Sequence, residues 1–255
     1  MMFVLDAVSK AYGSTVALHP LSLAVARGET LAVVGPSGAG KTTLLHLLGG
    51  VTQPSAGAVW IAGRPLASLP PGRELARLVG VMHQQLDLVP HLAAVHNVLA
   101  GRLGEWRLLR SLVSLVAPRE LHRALAALER VGIPEKLYER TARLSGGEQQ
   151  RVALARLLVQ DPAAIVADEP VASLDPARAE DLLQLLTGIA RDDGKTLVAS
   201  LHSIQLARRY FARIVGLRRG RLAFDLPAAA VSQSHVDRLY NLDERADDLA
   251  TAAAR

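Results

Sequence analysis

Apolar residues follow two different spacings along the chain. Phe3 to Val8 and Leu21 to Val25 alternate apolar and polar positions, the period of half-buried strands. Val59 to Ala62 predicts another short strand, bounded by Gly57 and by Gly63-Arg64-Pro65. Arg27-Gly28-Glu29 turns into Leu31-Ala32-Val33-Val34, an unbroken apolar run, and Thr43 to Leu48 then reads as helix. Helical spacing dominates from about Leu92 to Gln160, with Leu121, Leu125 and Leu128 on one face and Arg119, Arg123 and Arg130 in polar positions. Ala163 to Ala167 and Thr196 to Ser200 are short apolar runs separated by a helix over 177–190. That order makes a βαβ unit and predicts a parallel sheet. From Leu226 onward no spacing assigns residues to a core, and the alanine-rich stretch Ala246 to Arg255 is expected to fray.

Between the strand ending at Val34 and the helix from Thr43 lies Gly35-Pro36-Ser37-Gly38-Ala39-Gly40-Lys41-Thr42, a G-x-x-x-x-G-K-T string. An ordinary glycine turn before a helix would need neither the lysine nor the threonine. As a phosphate cradle, every polar group has a use: glycines at 35, 38 and 40 let backbone N–H groups turn inward, and the helix adds its positive end. Lys41 can bridge the outer phosphates and the Thr42 hydroxyl can ligate Mg²⁺. A bound nucleotide is the expectation.

In a parallel α/β sheet, ligands bind outside the carboxyl ends of the strands. Three runs end there in reactive residues: the glycine loop after Val34, Asp168-Glu169 after Ala167, and His202 after Leu201. Alone, Asp168-Glu169 would read as a solvated turn and His202 as a structural histidine. Beside the glycine loop, Asp168 suits Mg²⁺ opposite Thr42, Glu169 suits a general base for water, and His202 suits a sensor of the terminal phosphate.

Leu144-Ser145-Gly146-Gly147-Glu148 precedes the helical Gln149 to Gln160. Ser145 and Glu148 form a capping box, which needs no ligand. The glycine pair weakens a simple helix start but lets a helix tip approach a phosphate closely. A second phosphate-seeking helix is hard to bring onto the first loop within one chain. It makes sense if two copies face each other.

Composition narrows the class without deciding it. Half of the 255 residues are hydrophobic and 21% are charged, a globular balance of one or two domains. No apolar stretch approaches bilayer length, and the N-terminus has no charged region followed by an apolar one, so neither anchor nor signal peptide is expected. The chain has no cysteine, which excludes disulfides and thiolate metal sites. The net charge of +5 would suit nucleic acid or anionic lipid, but the basic residues are scattered rather than clustered.

These strings together resemble the ATP-binding cassette (ABC) family over nearly the whole chain. Gly35 to Thr43 is similar to its Walker A motif, Leu144 to Glu148 to its signature, and Ile165 to Glu169 to its Walker B. Ser173-Leu174-Asp175 resembles the D-loop, Gln84 the Q-loop glutamine, His202 the switch histidine, and Tyr12 the aromatic that stacks on adenine. The resemblance implies a P-loop NTPase of α/β class: a RecA-like parallel sheet core, an antiparallel β subdomain at the N-terminus, and a helical insertion. It implies one cassette over 1–255, with 1–86 and 161–225 as nucleotide-binding core, 87–160 as helical subdomain and 226–255 as a tail.

It further implies that ATP and Mg²⁺ are held in a head-to-tail dimer. The implied catalytic residues are Glu169, His202 and Gln84. The nucleotide would be held by Tyr12, Gly35, Ser37, Gly38, Gly40, Lys41, Thr42, Thr43 and Asp175, and by the partner copy through residues matching Ser145, Gly146 and Gly147. Mg²⁺ would be held by Thr42, Gln84 and Asp168. Glu148 departs from the glutamine most frequent at that position, and its extra carboxylate would weaken closure on a polyphosphate unless screened.

Within the family, His83 to Val89, Asn97 to Gly104, Trp106-Arg107, Ala167 to Pro176 and Leu201 to Ile204 resemble the ATPase subunits of phosphonate importers. That implies work at the cytoplasmic face of the cell membrane on transmembrane permease subunits, served indirectly by a periplasmic or lipoprotein solute-binding protein, with no nucleic acid as partner. A same-fold ATPase acting on another solute, nucleic acid or ribosomes is the alternative class, and a non-catalytic nucleotide-binding regulator is a third. The transported solute, a phosphonate or related phosphorus oxyanion, rests on this resemblance alone.

Overall fold

The computed structural model describes residues 1–104 and 120–240. The readings made for Trp106-Arg107, Arg119 and Ala246 to Arg255 lie outside the described residues. Strands β1 (Phe3–Tyr12), β2 (Thr15–Val25), β4 (Ala56–Ile61) and β5 (Arg64–Pro65) form a four-stranded antiparallel sheet in the order β2-β1-β4-β5. A second sheet has the order β10-β9-β3-β8-β7-β6. Its strands are β3 (Thr30–Val34), β6 (Val79–Met82), β7 (Ala164–Ala167), β8 (Thr196–Leu201), β9 (Arg213–Arg218) and β10 (Arg221–Pro227). All its neighbours run parallel except the β9–β10 hairpin at one edge.

The described helices are α1 (Lys41–Leu48), α2 (Arg73–Leu78), α3 (Ala94–Leu99), α4 (Leu121–Arg130), α5 (Gly146–Gln160), α6 (Pro176–Asp192), α7 (Ile204–Tyr210) and α8 (Gln233–Tyr240).

Period-two alternation sends the central strands into two different cores. On one face Leu31, Val33, Val166, Val198, Val215 and Leu217 pack with Leu44, Leu45, Leu47 and Leu48 of α1 and with Phe3 and Leu5 of the antiparallel sheet. On the other, Ala32, Val34, Ile165, Ala167, Leu197 and Ala199 pack with Val152 and Leu154 of α5 and Leu183 and Leu186 of α6. A sheet covered on both faces reads as unbroken apolar runs, which is why β3, β7 and β8 were legible.

Three strands of this sheet were not anticipated. In β6, Gly80 interrupts the pattern because a β-carbon there would come within 2.7 Å of the Leu157 side chain and 2.8 Å of Pro162. β9 and β10 are masked by charge. The half-buried Arg213 guanidinium bonds Asp225 at 2.5 and 2.6 Å and Glu29 at 3.0 Å, so its charge is matched inside the sheet edge and its pKa is pushed above the ordinary range by those carboxylates. Their turn, Arg219-Gly220, takes positive φ at both residues, the geometry of a two-residue hairpin.

Strand β2 also starts earlier than the alternation suggested, at Thr15. Between 92 and 160 the described helices are α3, α4 and α5, and α4 packs Ala124, Ala127 and Leu128 inward with Leu121 and Leu125 partly buried beside them. Beyond Leu226, Ala228, Val231 and Leu239 join the core, so residues 228–240 are docked rather than loose.

Gly101 lets the turn after α3 press onto α5, since a β-carbon would strike the Arg156 carbonyl. Gly101→Ala is expected to lower stability by roughly 1–3 kcal/mol in chemical denaturation, the cost of overpacking a closed contact.

Candidate active site

The glycine loop leaves the end of β3 and closes into α1. Gly35 has φ +155 and a β-carbon on it would collide with the Leu217 carbonyl of β9. Gly40, at φ +98, lies where a β-carbon would meet the Leu18 side chain at 2.7 Å and the Ala17 carbonyl at 2.8 Å. These glycines therefore set how closely the loop seats against β9 and β2. Lys41, 5% exposed, folds back so that its Nζ donates to the Gly35 carbonyl at 3.0 Å and the Pro36 carbonyl at 3.3 Å. Burial lowers its pKa, opposed by the carboxylates of Glu169 and Asp168. Ser37 and Gly38 are exposed on the loop, Thr42 is exposed in the first turn of α1, and Thr43 beside it is half-buried.

The loop faces a cluster assembled from three strand ends. Glu169 follows β7 with φ +49, a left-handed conformation uncommon for a residue carrying a β-carbon. Its Oε1 lies 2.7 Å from His202 Nε2, at the end of β8, and 3.8 Å from Lys41 Nζ. Its Oε2 accepts a bond from Gln84 Nε2 at 3.2 Å, just past the end of β6. Gln84 thus follows a strand. Asp168 is 4% exposed, and its Oδ1 accepts the Ser200 hydroxyl at 2.7 Å. A cleft of about 390 Å³ opens beside Glu169, Ser200 and His202.

Of the remaining candidates, Tyr12 is 49% exposed at the tip of the β1–β2 hairpin, with Lys10 Nζ 5.0 Å from its ring centre. Further along that hairpin, Ala17 and Leu18 are the residues that touch the glycine loop at Gly40. Asp175 is the N-cap of α6, accepting from the Arg178 amide at 3.1 Å.

Ser145, Gly146 and Gly147 form the tip of α5, away from this cluster. The cleft at that tip is lined by Arg151, Leu174, Arg178 and Asp181, and by none of the glycine-loop residues. The capping box is complete: Glu148 Oε2 accepts from the Ser145 amide at 2.8 Å and Ser145 Oγ from the Glu148 amide at 3.4 Å. The other Glu148 oxygen lies 2.9 Å from Lys136 Nζ. The Ser145 amide first, and Lys136 second, hold the Glu148 carboxyl below its ordinary pKa. Its charge is thus matched within the chain. Arg156, further along α5, donates to the Leu86 carbonyl at 2.8 Å and the Asp87 carbonyl at 3.0 Å, tying this helix to the segment after Gln84.

Three contacts lay beyond sequence reasoning. In the sequence Ser200 marks only the end of an apolar run, Lys136 belongs to no motif, and Tyr240 lies in the stretch without periodic spacing. The Tyr240 phenol donates to the His202 carbonyl at 3.2 Å. A residue of α8 thereby touches a strand-end loop of the site.

Known proteins resemble this chain over most of its length. A family model described as ABC transporter matches residues 18–172. The Phosphonates import ATP-binding protein PhnC of Anaeromyxobacter dehalogenans is 50% identical over 252 residues, which cover 98% of this chain and half of that protein. That of Pseudomonas putida is 44% identical over 90% of this chain and 86% of its own length. The dimeric post-hydrolysis structure of the ATP-binding cassette MJ0796 bound to ADP and Pi superposes with a TM-score of 0.78 at 33% identity, covering 89% of this chain and 99% of that one.

Glu148→Gln tests the charged cap. The carboxylate's contribution is complete above its ordinary pKa and is lost as pH falls through the lowered folded value. At pH 7 the variant is expected to be less stable by roughly 0.3–1 kcal/mol in chemical denaturation, and the difference from the parent to shrink on acidification below the carboxylate range.

Proposed function

The chain belongs to the ABC transporter family, and we propose that it is the ATP-hydrolysing subunit of an importer for phosphonate or a related phosphorus oxyanion. The observation that carries the catalytic part is the Glu169 carboxylate, met by His202 at 2.7 Å and Gln84 at 3.2 Å with Lys41 behind it. A carboxylate held by neighbours from three strand ends keeps one direction, as a general base for water requires. The solute class is supported by the 43–50% identity to proteins named for phosphonate import.

In this reading, the backbone N–H groups of residues 35–40 and the Lys41 ammonium cradle the phosphates of ATP, and Tyr12 stacks on the base. Glu169 takes the proton of the attacking water, Gln84 helps orient that water, and His202 reads the terminal phosphate. Mg²⁺ fits the residues present, because Thr42, Asp168 and Gln84 offer hard oxygen donors at one edge of the sheet. Among the described residues no group of three or more His, Cys, Asp or Glu could hold a metal by itself, so the ion would share its ligands with phosphate, the usual manner of Mg²⁺. When bound, it neutralises charge on the phosphate oxygens.

Ser145, Gly146 and Gly147 would complete the pocket of a second copy in a head-to-tail dimer. Closure on ATP and opening after hydrolysis would then drive permease subunits at the cytoplasmic face of the membrane. Among the described residues no helix is long and apolar enough to cross a membrane.

Glu169→Gln is expected to keep ATP binding while hydrolysis falls by roughly 10²-fold or more, with ATP-bound dimer accumulating; normal turnover in this variant removes Glu169 from the base role. The solute is tested by purifying the chain with its permease and measuring ATP hydrolysis in proteoliposomes. Phosphonate-loaded binding protein should stimulate it, and stimulation by another solute instead would replace the phosphonate assignment.

A further inference from the structure

Ser200 is wholly buried near the end of β8, and both of its polar contacts are to residues of the strand-end cluster. Its hydroxyl proton goes to Asp168 Oδ1 at 2.7 Å, and its oxygen accepts the Glu169 N–H at 2.8 Å. A hydroxyl has one proton to give, so donation to the carboxylate fixes which lone pairs remain for the amide. The two bonds thus determine each other. Parallel pairing of Ala167 with Ala199 places Ser200 level with Asp168, so the short side chain reaches across without distortion of the strand.

The two partners need such a tie for different reasons. Asp168 follows a fully buried strand, and rotation of its carboxylate would change which oxygen is left free of Ser200. Glu169 holds a left-handed backbone conformation, φ +49, that nothing in its own side chain favours. A bond to its amide keeps the chain in that turn, and the turn aims the carboxylate at His202 and Gln84. We propose that Ser200 is a positioning residue for both carboxylates, setting the Asp168 oxygen offered to Mg²⁺ and the backbone turn that presents Glu169. The inference rests on the proposed roles of those two residues.

Full-length Ser200→Ala is compared with the isosteric pair Ser200→Thr and Ser200→Val, which add the same methyl and differ only in the hydroxyl. Melting temperature, binding of a fluorescent ATP analogue with and without Mg²⁺, and steady-state hydrolysis are measured for each. Without Mg²⁺, analogue affinity should stay within about two-fold of the parent in all variants, since Lys41 and the glycine loop are untouched. In the Ala and Val variants the half-saturating Mg²⁺ concentration for tightened binding should rise roughly ten-fold, and kcat should fall roughly 10- to 100-fold with KM for ATP nearly constant. The Thr variant should recover both.

Unchanged Mg²⁺ dependence and kcat in folded Ser200→Ala overturns the assignment, as does equal loss in the Thr and Val variants. If Ser200→Ala does not fold, the Thr and Val pair decides alone. A parent chain that neither binds nor hydrolyses ATP would instead sink the functional reading on which the inference rests.

Discussion

Everything at the site depends on parallel strands that stop in register. Val34 pairs with Leu201, Ala167 with Ala199, and Met82 with Ala167, so the segments that follow β3, β8, β7 and β6 emerge along one edge. Residues separated by up to 167 positions meet there without any local sequence linking them. Because side chains alternate faces with a period of two, a slip of one residue in β7 would exchange its two buried faces and carry Asp168 and Glu169 off that edge. The apolar packing on both faces of the sheet is what forbids such slips: Ile165 and Ala167 belong to one core, Ala164 and Val166 to the other.

Charge is managed locally on this frame. Lys41 is buried, yet it lies beside two acidic residues and two loop carbonyls, which offset part of its desolvation cost. Arg156 is likewise desolvated, which lowers its pKa, while its guanidinium bonds the carbonyls after Gln84. The same economy answers the concern raised by Glu148. A free carboxylate at the tip of α5 would oppose an incoming polyphosphate, but this one is folded onto the Ser145 amide and Lys136.

What could be read from the chain was whatever is written locally. The glycine loop, Asp168-Glu169 and His202 are short strings abutting apolar runs, and a sheet buried on both faces advertises itself by such runs. The signature string was legible for the same reason, including its capping box. Hidden were features whose meaning lies in a distant partner. Gly80 breaks β6 only because Leu157 and Pro162 need the space, and Arg213 sits in a strand only because Asp225 and Glu29 match it. Ser200, Lys136 and Tyr240 are unremarkable until β7, Glu148 and His202 are placed beside them. The stretch from 226 gave no periodic signal because its buried residues, Ala228, Val231 and Leu239, are spaced across a turn, an irregular segment and a short helix.

In the proposed reading the tip of α5 serves the glycine loop of another copy, and within one chain no glycine-loop residue lines the cleft at that tip. The absence of cysteine makes a direct test simple. Ser37 is exposed on the loop, and a side chain at Gly146 meets nothing within 4 Å. In a chain carrying Ser37→Cys and Gly146→Cys, mild oxidation with ATP present and Mg²⁺ withheld should give a covalent dimer. That product should be lost without nucleotide or when Lys41→Ala is added. Cross-linking within one chain, or a dimer yield indifferent to ATP, would contradict the shared pocket.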